Sequence, residues 1–416
     1  MSIQRLALNS LAISICILCG AANGQFFSQS GFGLVETVSN NGISAGSFGN
    51  PAGQYFLWDI ENGAMNIGGV GAGGGVGGSP GVSDDGQYVC GVTLNPATGL
   101  HEMSRYEVGT GTWTPLGGLG SSSGSETSSG WGISGDGSTV VGLAWVNAGM
   151  THAAGWQDGV GVIDLGSTNP GQSARANACD IDGGVVAGWQ DGNGRQGAFW
   201  VDGQQTLIVD NNSQPVEEAS EVSNNGKFIF GFGIAPGING IGNAYRYNRE
   251  LDEFELLPNL DVGGGRNMAV RASNHDGTIA VGGTWPFGVP ASFGNGFIWV
   301  EGLGTMTPTE YFQSMNVKGI PSNYNFAFVS GISADGKWFV GWGGTGAIAN
   351  QSWAVRISQE VLLGDVNLDG VVDLLDVAPF VDLIAGLQFQ VEADINQDGE
   401  VNLLDVNPFV EILTGN

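Results

Sequence analysis

A short phrase recurs seven times between residues 38 and 357, and it limits the fold more than any other feature. It reads: an apolar residue, Ser or a similar residue, any residue, Asp or Asn, Gly, then a second Gly five positions on. The copies are Val82-Ser83-Asp84-Asp85-Gly86 to Gly91, Ile133-Ser134-Gly135-Asp136-Gly137 to Gly142, and Asp182-Gly183 to Gly188. Then come Val222-Ser223-Asn224-Asn225-Gly226 to Gly231, Asn274-His275-Asp276-Gly277 to Gly282, and Ile332-Ser333-Ala334-Asp335-Gly336 to Gly341. A degraded first copy is Val38-Ser39-Asn40-Asn41-Gly42. Successive turn glycines (42, 86, 137, 183, 226, 277, 336) are 44, 51, 46, 43, 51 and 59 residues apart. Asp-Gly and Asn-Gly between apolar strands are hairpin turns, because the turn needs positive φ.

Each hairpin is followed by an aromatic strand, as at Tyr55-Phe56-Leu57-Trp58, Ala198-Phe199-Trp200, Gly296-Phe297-Ile298-Trp299 and Ser352-Trp353-Ala354-Val355. A further apolar piece often ends in Leu-Gly, as at Leu165-Gly166. Each period therefore holds about four short strands, the size of a propeller blade. Such a sheet cannot bury both faces alone, so neighbours must stack. The expected fold is all-β: a β-propeller of about seven four-stranded blades over 25–357, with six or eight allowed by the weak first copy. A β-helix is the second choice. Composition agrees: Gly is 74 of 416 residues and charged residues only 12%, against usual shares of ~7% and ~25%.

The wording of the copies resembles the HAF-type extracellular repeat family: a D-G turn, V-V-G, A-F-x-W and L-G. The resemblance covers roughly 38–357 and implies an extracellular β-rich domain without an assigned chemistry.

The net charge of -28 argues against nucleic acid, whose phosphates need Lys and Arg. Residues 1–24 read as a signal peptide, with Arg5, an apolar Leu6–Gly20 stretch and a small-x-small site at Ala22-Asn23-Gly24. No later apolar run is long enough to span a bilayer. The expected location is secreted, extracellular or at the cell surface. Cys90 and Cys179 are left in the mature chain, either as one disulfide or as two buried thiols.

Catalytic signals are weak. Gly-x-Ser-x-Gly occurs around Ser44, Ser79 and Ser122, never in a strand-to-helix context. His101, His152 and His275 share no metal-ligand spacing. Ser333-Ala334-Asp335-Gly336-Lys337-Trp338 fails the Asp-box pattern of sialidase-like propellers, which needs one residue between Asp and Gly. Paired carboxylates could meet across blades, but linear sequence does not place them.

The tail carries a sharper signal. Residues 361–416 hold 11 acids and no Lys or Arg. Asp365, Asn367, Asp369, Asp373 and Asp376 occupy positions 1, 3, 5, 9 and 12 of a loop, with Gly370 at 6 and Val371 at 7. Asp394, Asn396, Asp398, Asn402 and Asp405 repeat the spacing, with Gly399 and Glu400. Position 7 needs only a backbone carbonyl. This is EF-hand loop spacing for a hard cation. The copies are 29 residues apart and identical at 12 of 20 positions over 365–384 against 394–413. Two Ca2+ ions are expected; zinc is disfavoured because the tail has no His or Cys. Each loop leads into one helix with an apolar face (Val377, Phe380, Val381, Ile384; Val406, Phe409, Val410, Leu413). Asp376 and Asp405 are expected to ligate and also to cap these helices.

This duplication resembles the type I dockerin domain over 364–413, which implies two calcium ions and docking onto a cohesin. Positions 10 and 11, where dockerins present small polar residues, are Leu374-Leu375 and Leu403-Leu404. They point to another apolar protein surface, or to packing on the chain's own propeller. The first functional reading is a non-enzymatic secreted calcium-binding modular protein, its propeller binding a ligand such as a glycan and its tail serving assembly or surface attachment. The alternative is an extracellular polysaccharide-degrading hydrolase or lyase with the tail as assembly module. Carboxylates clustered in the channel would favour the second; a channel of Gly, Ser and apolar groups would favour the first.

Overall fold

The computed structural model describes residues 22–30, 33–48, 53–70, 77–234, 242–260, 266–286, 293–346, 351–359, 363–367, 371–386, 390, 392–396 and 400–414. The expected leader falls outside them up to residue 21; the first strand, Ala22–Ser30, begins three residues before the expected boundary. Among the described residues no helix is long and apolar enough to cross a membrane. The chain divides into two compact units. One holds Phe26–Tyr311 and Gly319–Arg356; the other holds the tail from Ile357, Phe312–Lys318 and the N-terminal residues through Gln25.

Among the described residues the strands form seven sheets, six of them four-stranded antiparallel meanders in sequence order. The innermost strands are Leu34–Val38, Gly81–Val82, Ser128–Ile133, Ala174–Cys179, Glu218–Val222, Arg266–Ser273 and Asn325–Ile332. The chain folds as a seven-bladed β-propeller. The seventh sheet is built differently. Its order outward is Asn325–Ile332, Trp338–Gly344, Gln351–Gln359, the N-terminal strand Ala22–Ser30, and a fifth strand Val317–Lys318. The last pair is parallel, with Gly24 opposite Val317. The propeller span also holds one seven-residue helix, α1 (Pro308–Ser314), between the sixth and seventh blades in the chain.

The recurring phrase has a local and a global task. Locally, all seven turn glycines adopt φ between 70° and 85°, which a Cβ would penalise. The Ser hydroxyl donates to the Asp or Asn two residues on, as Ser83 to Asp85 at 2.7 Å and Ser333 to Asp335 at 2.6 Å. It also accepts the N–H that opens the next strand, as from Tyr88 at 3.0 Å and Trp338 at 2.9 Å. Where Ser is replaced, Asp180 and Asn274 accept that N–H instead, from Val185 at 3.0 Å and Ile279 at 2.8 Å.

Globally, the turns join into a circle. Asn40 N–H donates to Asp84 O (2.8 Å), Asp84 to Gly135 (2.8 Å), Asp136 to Ile181 (2.8 Å), Ile181 to Asn224 (3.0 Å), Asn225 to His275 (3.0 Å) and His275 to Ala334 (2.8 Å). Asp335 N–H closes the ring on Asn40 Oδ1 at 2.9 Å.

Blades bury their faces against one another. Val185, Ala187 and Phe199 of the fourth pack with Ala219, Ile229 and Tyr245 of the fifth. Phe56 and Trp58 of the first meet Trp338, Val340 and Ala354 of the seventh. Each large side chain so buried contributes about 1.5–3 kcal/mol. Arg105 adds a staple between blades: its guanidinium lies 4.4 Å from the Tyr88 ring and 4.8 Å from Trp156 of the next blade.

The second glycine of the phrase is required by close approach. A Cβ on Gly142, Gly188, Gly231 or Gly282 would lie 1.9–2.0 Å from a carbonyl oxygen of the innermost strand. Gly155, one strand outward from Gly142, has its nearest such neighbour at 3.5 Å. Gly142→Ala should therefore cost roughly 3 kcal/mol or prevent folding, whereas Gly155→Ala should stay within about 1 kcal/mol. Urea denaturation of the two variants checks this; equal midpoints would refute the steric account.

Candidate functional site

The channel at the propeller axis is one candidate site. Its lining follows from a backbone irregularity. The ladder between the first and second strands shifts register at Val35/Thr37, Gly130/Gly132, Ala176/Ala178, Ala219/Glu221, Val270/Ala272 and Val329/Gly331. A bulge of this kind leaves one residue unpaired and re-aims its side chain. The skipped residues are Glu36, Trp131, Asn177, Ser220, Arg271 and Ser330, and all line the channel. Each stands six positions before its turn glycine, a regular offset that a search for catalytic motifs passes over.

The channel encloses about 170 Å³. It is charged, not lined by Gly, Ser and apolar groups alone: Glu36, Asp84, Glu218, Glu221, Arg175 and Arg271 all face it. Glu218 is the hub of the fourth and fifth blades. Arg175 Nη2 and Asn177 Nδ2 each donate to its Oε1 at 2.9 Å, and Arg195 Nη1 donates to its Oε2 at 2.7 Å. The Arg175 guanidinium lies 3.8 Å from the Trp131 ring. Burial pushes Arg175 down to about 10 against the pull of Glu218, with Arg195 and Arg271 adding to the depression. Burial also pushes Glu221 up to about 8; it accepts Ser273 N–H at 3.1 Å and the Ser273 hydroxyl at 3.2 Å. At the turn end, Asn224 Nδ2 of the fifth blade donates to Asp84 Oδ2 of the second at 2.6 Å.

The serines of the Gly-x-Ser-x-Gly matches are placed without a strand-to-helix elbow. Ser44 is buried in the strand Ser44–Ser47. Ser79 donates its hydroxyl to Glu36 Oε2 at 2.5 Å, and Ser122 lies between strands Thr112–Pro115 and Ser128–Ile133. Cys90 and Cys179 are free and buried, and burial pushes the Cys90 thiol up to about 12.

The tail loops are the second candidate site, and they fold alike. In the first, Asp376 accepts the N–H of Asn367 on Oδ1 and that of Asp373 on Oδ2, both at 2.9 Å. In the second, Asp405 accepts from Asn396 at 3.0 Å and Asn402 at 2.9 Å. Leu375 N–H donates to Asp373 at 2.7 Å, and Leu404 N–H to Asn402 at 2.8 Å. The cap of the first helical turn is shared: Asp373 is the N-cap residue, and Asp376 completes a capping box by accepting the Asp373 N–H.

Asp365 and Asp394 (5% and 6% exposed) and Asp376 and Asp405 (0%) are buried. Helices α2 (Val377–Gly386) and α3 (Val406–Thr414) pack through Phe380 and Phe409, ring centroids 4.2 Å apart. Val371 and Glu400 are exposed at position 7. Asp369 and Asp398, with Gly370 and Gly399, lie outside the described residues. Among the described residues no group of three or more His, Cys, Asp or Glu side chains is gathered for a metal.

No family model matches the chain, and no curated protein matches it. Solved structures do. The β-propeller domain of the Trilobed protease from Pyrococcus furiosus is similar at TM-score 0.50 and 13% identity, over 79% of this chain and 95% of that one. An oligogalacturonate lyase from Vibrio parahaemolyticus matches at TM-score 0.48 and 10% identity, over 80% and 92%. TolB from Acinetobacter baumannii matches at TM-score 0.41 and 13% identity, over 66% of this chain and 61% of that one. At these identities the likeness is one of fold.

The Glu218 hub yields a graded prediction. Glu218→Ala leaves the buried Arg175 without its counter-charge and should cost about 3–5 kcal/mol. Arg195 is 39% exposed, so Arg195→Ala should cost about 1 kcal/mol or less. Denaturant midpoints decide it: a costlier Arg195→Ala would contradict the assignment of Glu218 as hub.

Proposed function

We propose that this is a secreted, calcium-binding modular protein whose dockerin-like tail serves assembly or surface attachment and whose propeller binds a ligand. The observation that carries the reading is the matched burial of Asp376 and Asp405 in two loops with the same hydrogen bonds. Burying carboxylates is costly unless a cation compensates, and residues 361–416 contain no Lys, Arg or His. A divalent ion in each loop supplies the missing charge. Asp365, Asn367, Asp369, Asp373, Asp376 and the Val371 carbonyl would hold one; Asp394, Asn396, Asp398, Asn402, Asp405 and the Glu400 carbonyl would hold the other. An all-oxygen set suits calcium, which extracellular modules bind at ~0.1–1 mM.

The partner face is apolar on this reading. Leu374, Leu375, Leu403 and Leu404 are 67–80% exposed, related by the duplication, and suited to a cohesin-like or other apolar protein surface. A second reading, a polysaccharide-degrading enzyme, is favoured by the four channel carboxylates Glu36, Asp84, Glu218 and Glu221.

Calorimetry on the full chain tests the first reading. Two calcium ions should bind, one in Asp365→Ala, and none once Asp394→Ala is added, with helix content rising as calcium is restored to chelated protein. An unchanged ion count in the double variant, or no calcium bound by the parent, removes the proposal.

A further inference from the structure

The residues at the bulge position are not used alike. Asn177 Nδ2 donates to Ala219 O at 2.8 Å, Ser220 Oγ to Val270 O at 2.7 Å, and Ser330 Oγ to Val35 O at 2.7 Å. In each case the acceptor belongs to the next blade and directly precedes that blade's own bulge residue. These three side chains fasten the ring. Arg271 holds the same position in the sixth blade, yet it is exposed, and none of the hydrogen bonds or ion pairs of the described residues involves its side chain. Among the described residues this guanidinium takes no part in the hydrogen bonds that fasten the ring; it acts on Glu221 and Arg175 only through its charge.

Arg271 stands on the side of the channel where the bases gather. Only 12 of 416 residues are Lys or Arg, and Arg175, Arg195 and Arg271 gather on the fourth to sixth blades. Glu218 spends one oxygen on each of Arg175 and Arg195, so its charge is already matched, while the channel carboxylates Glu36 and Asp84 belong to the first and second blades. Glu221, beside Arg271, is kept neutral at pH 7 by burial and can offer an O–H. A guanidinium presents two parallel N–H groups that match a carboxylate. The space of about 170 Å³ is below the ~300–1,000 Å³ of a drug-sized pocket, so it suits one sugar acid or one peptide terminus.

We propose that the propeller channel binds a small carboxylate-bearing ligand, with Arg271 as the fork that holds the carboxylate and Glu221 as a neighbouring hydrogen-bond donor. This names the ligand class for the propeller and rests on the ligand-binding reading above; the calcium count of the tail is measured separately, so either can fail alone.

The experiment titrates the full chain, in calcium buffer at pH 6.5, with D-glucuronate, N-acetylglycine and uncharged D-glucose, following heat and tryptophan fluorescence. At least one of the two carboxylates should bind and glucose should not; the one that binds tells sugar acid from peptide terminus. Losing charge-assisted hydrogen bonds should weaken binding about 10-fold or more in Arg271→Ala, and less in Arg271→Lys. The melting curve should move little, since no hydrogen bond or ion pair among the described residues is lost. Arg271, Asp84 and Cys179 are the ionisable groups coupled to Glu221. Glu221 is neutral below about 8 and becomes a repelling carboxylate above it, so parent affinity should fall as pH rises through that value. Glu221→Gln should bind without that fall. Binding by neither carboxylate at roughly 10 mM, equal binding of glucose, or undiminished binding by Arg271→Ala overturns the proposal.

Discussion

The structure depends on a circle of hydrogen bonds between turns, six from backbone to backbone and the seventh closed on the Asn40 side chain. Seven hairpin turns, one per blade, each hand an N–H to the next, from Asn40 through Asp84, Gly135, Ile181, Asn224 and His275 to Ala334, with Asp335 returning to Asn40. A propeller blade has no stable existence alone, because both of its faces are apolar. The circle fixes the spacing at which those faces meet, and the buried aromatics of adjacent blades do the rest. The strand Ala22–Ser30 gives the seventh blade its fourth member, so the last sheet is completed by residues from both ends of the propeller segment.

The same phrase that builds the circle also builds the channel. The second glycine lets the innermost strand come within 1.9–2.0 Å of where a Cβ would sit. That approach accompanies the bulge, and the bulge turns one side chain per blade toward the axis. Structural and functional demands are thus separated along the repeat. The turn and the second glycine must be kept, whereas the residue six places before the turn varies, fastening the ring in three blades (Asn177, Ser220, Ser330) and not in the sixth. In this chain it is Glu, Pro, Trp, Asn, Ser, Arg and Ser in successive blades. Where the side chain is not spent on the next blade, as at Arg271, variation at that position sets what the channel can hold.

In the tail the governing constraint is electrostatic. Two loops draw the carboxylates of Asp376 and Asp405 inward onto the N–H groups of positions 3 and 9, while Phe380 and Phe409 provide a small apolar core between the helices. A unit of this size has little hydrophobic surface to bury. Its charge and its stability are therefore coupled, and an ion that neutralises the loops would also tie the helices down.

The repeat itself was legible in the sequence, because positive φ at the turn glycines and period-two apolar strands are local properties that each copy states in full. Seven copies gave seven blades, and the oxygen spacing of the tail loops was equally local. What the sequence did not show is what depends on contact between distant residues. Only the tertiary structure put Ala22–Ser30 into the seventh sheet, inserted helix α1 after the sixth in the chain, and shared the cap of the first tail helical turn between Asp373 and Asp376. It also brought together Arg175, Glu218, Glu221 and Arg271, which lie on three different blades and share no motif. A linear pattern records the residues of one strand, whereas a channel is made from one residue of every blade, and which of them are taken up by the ring and which are left over is decided by packing around the circle.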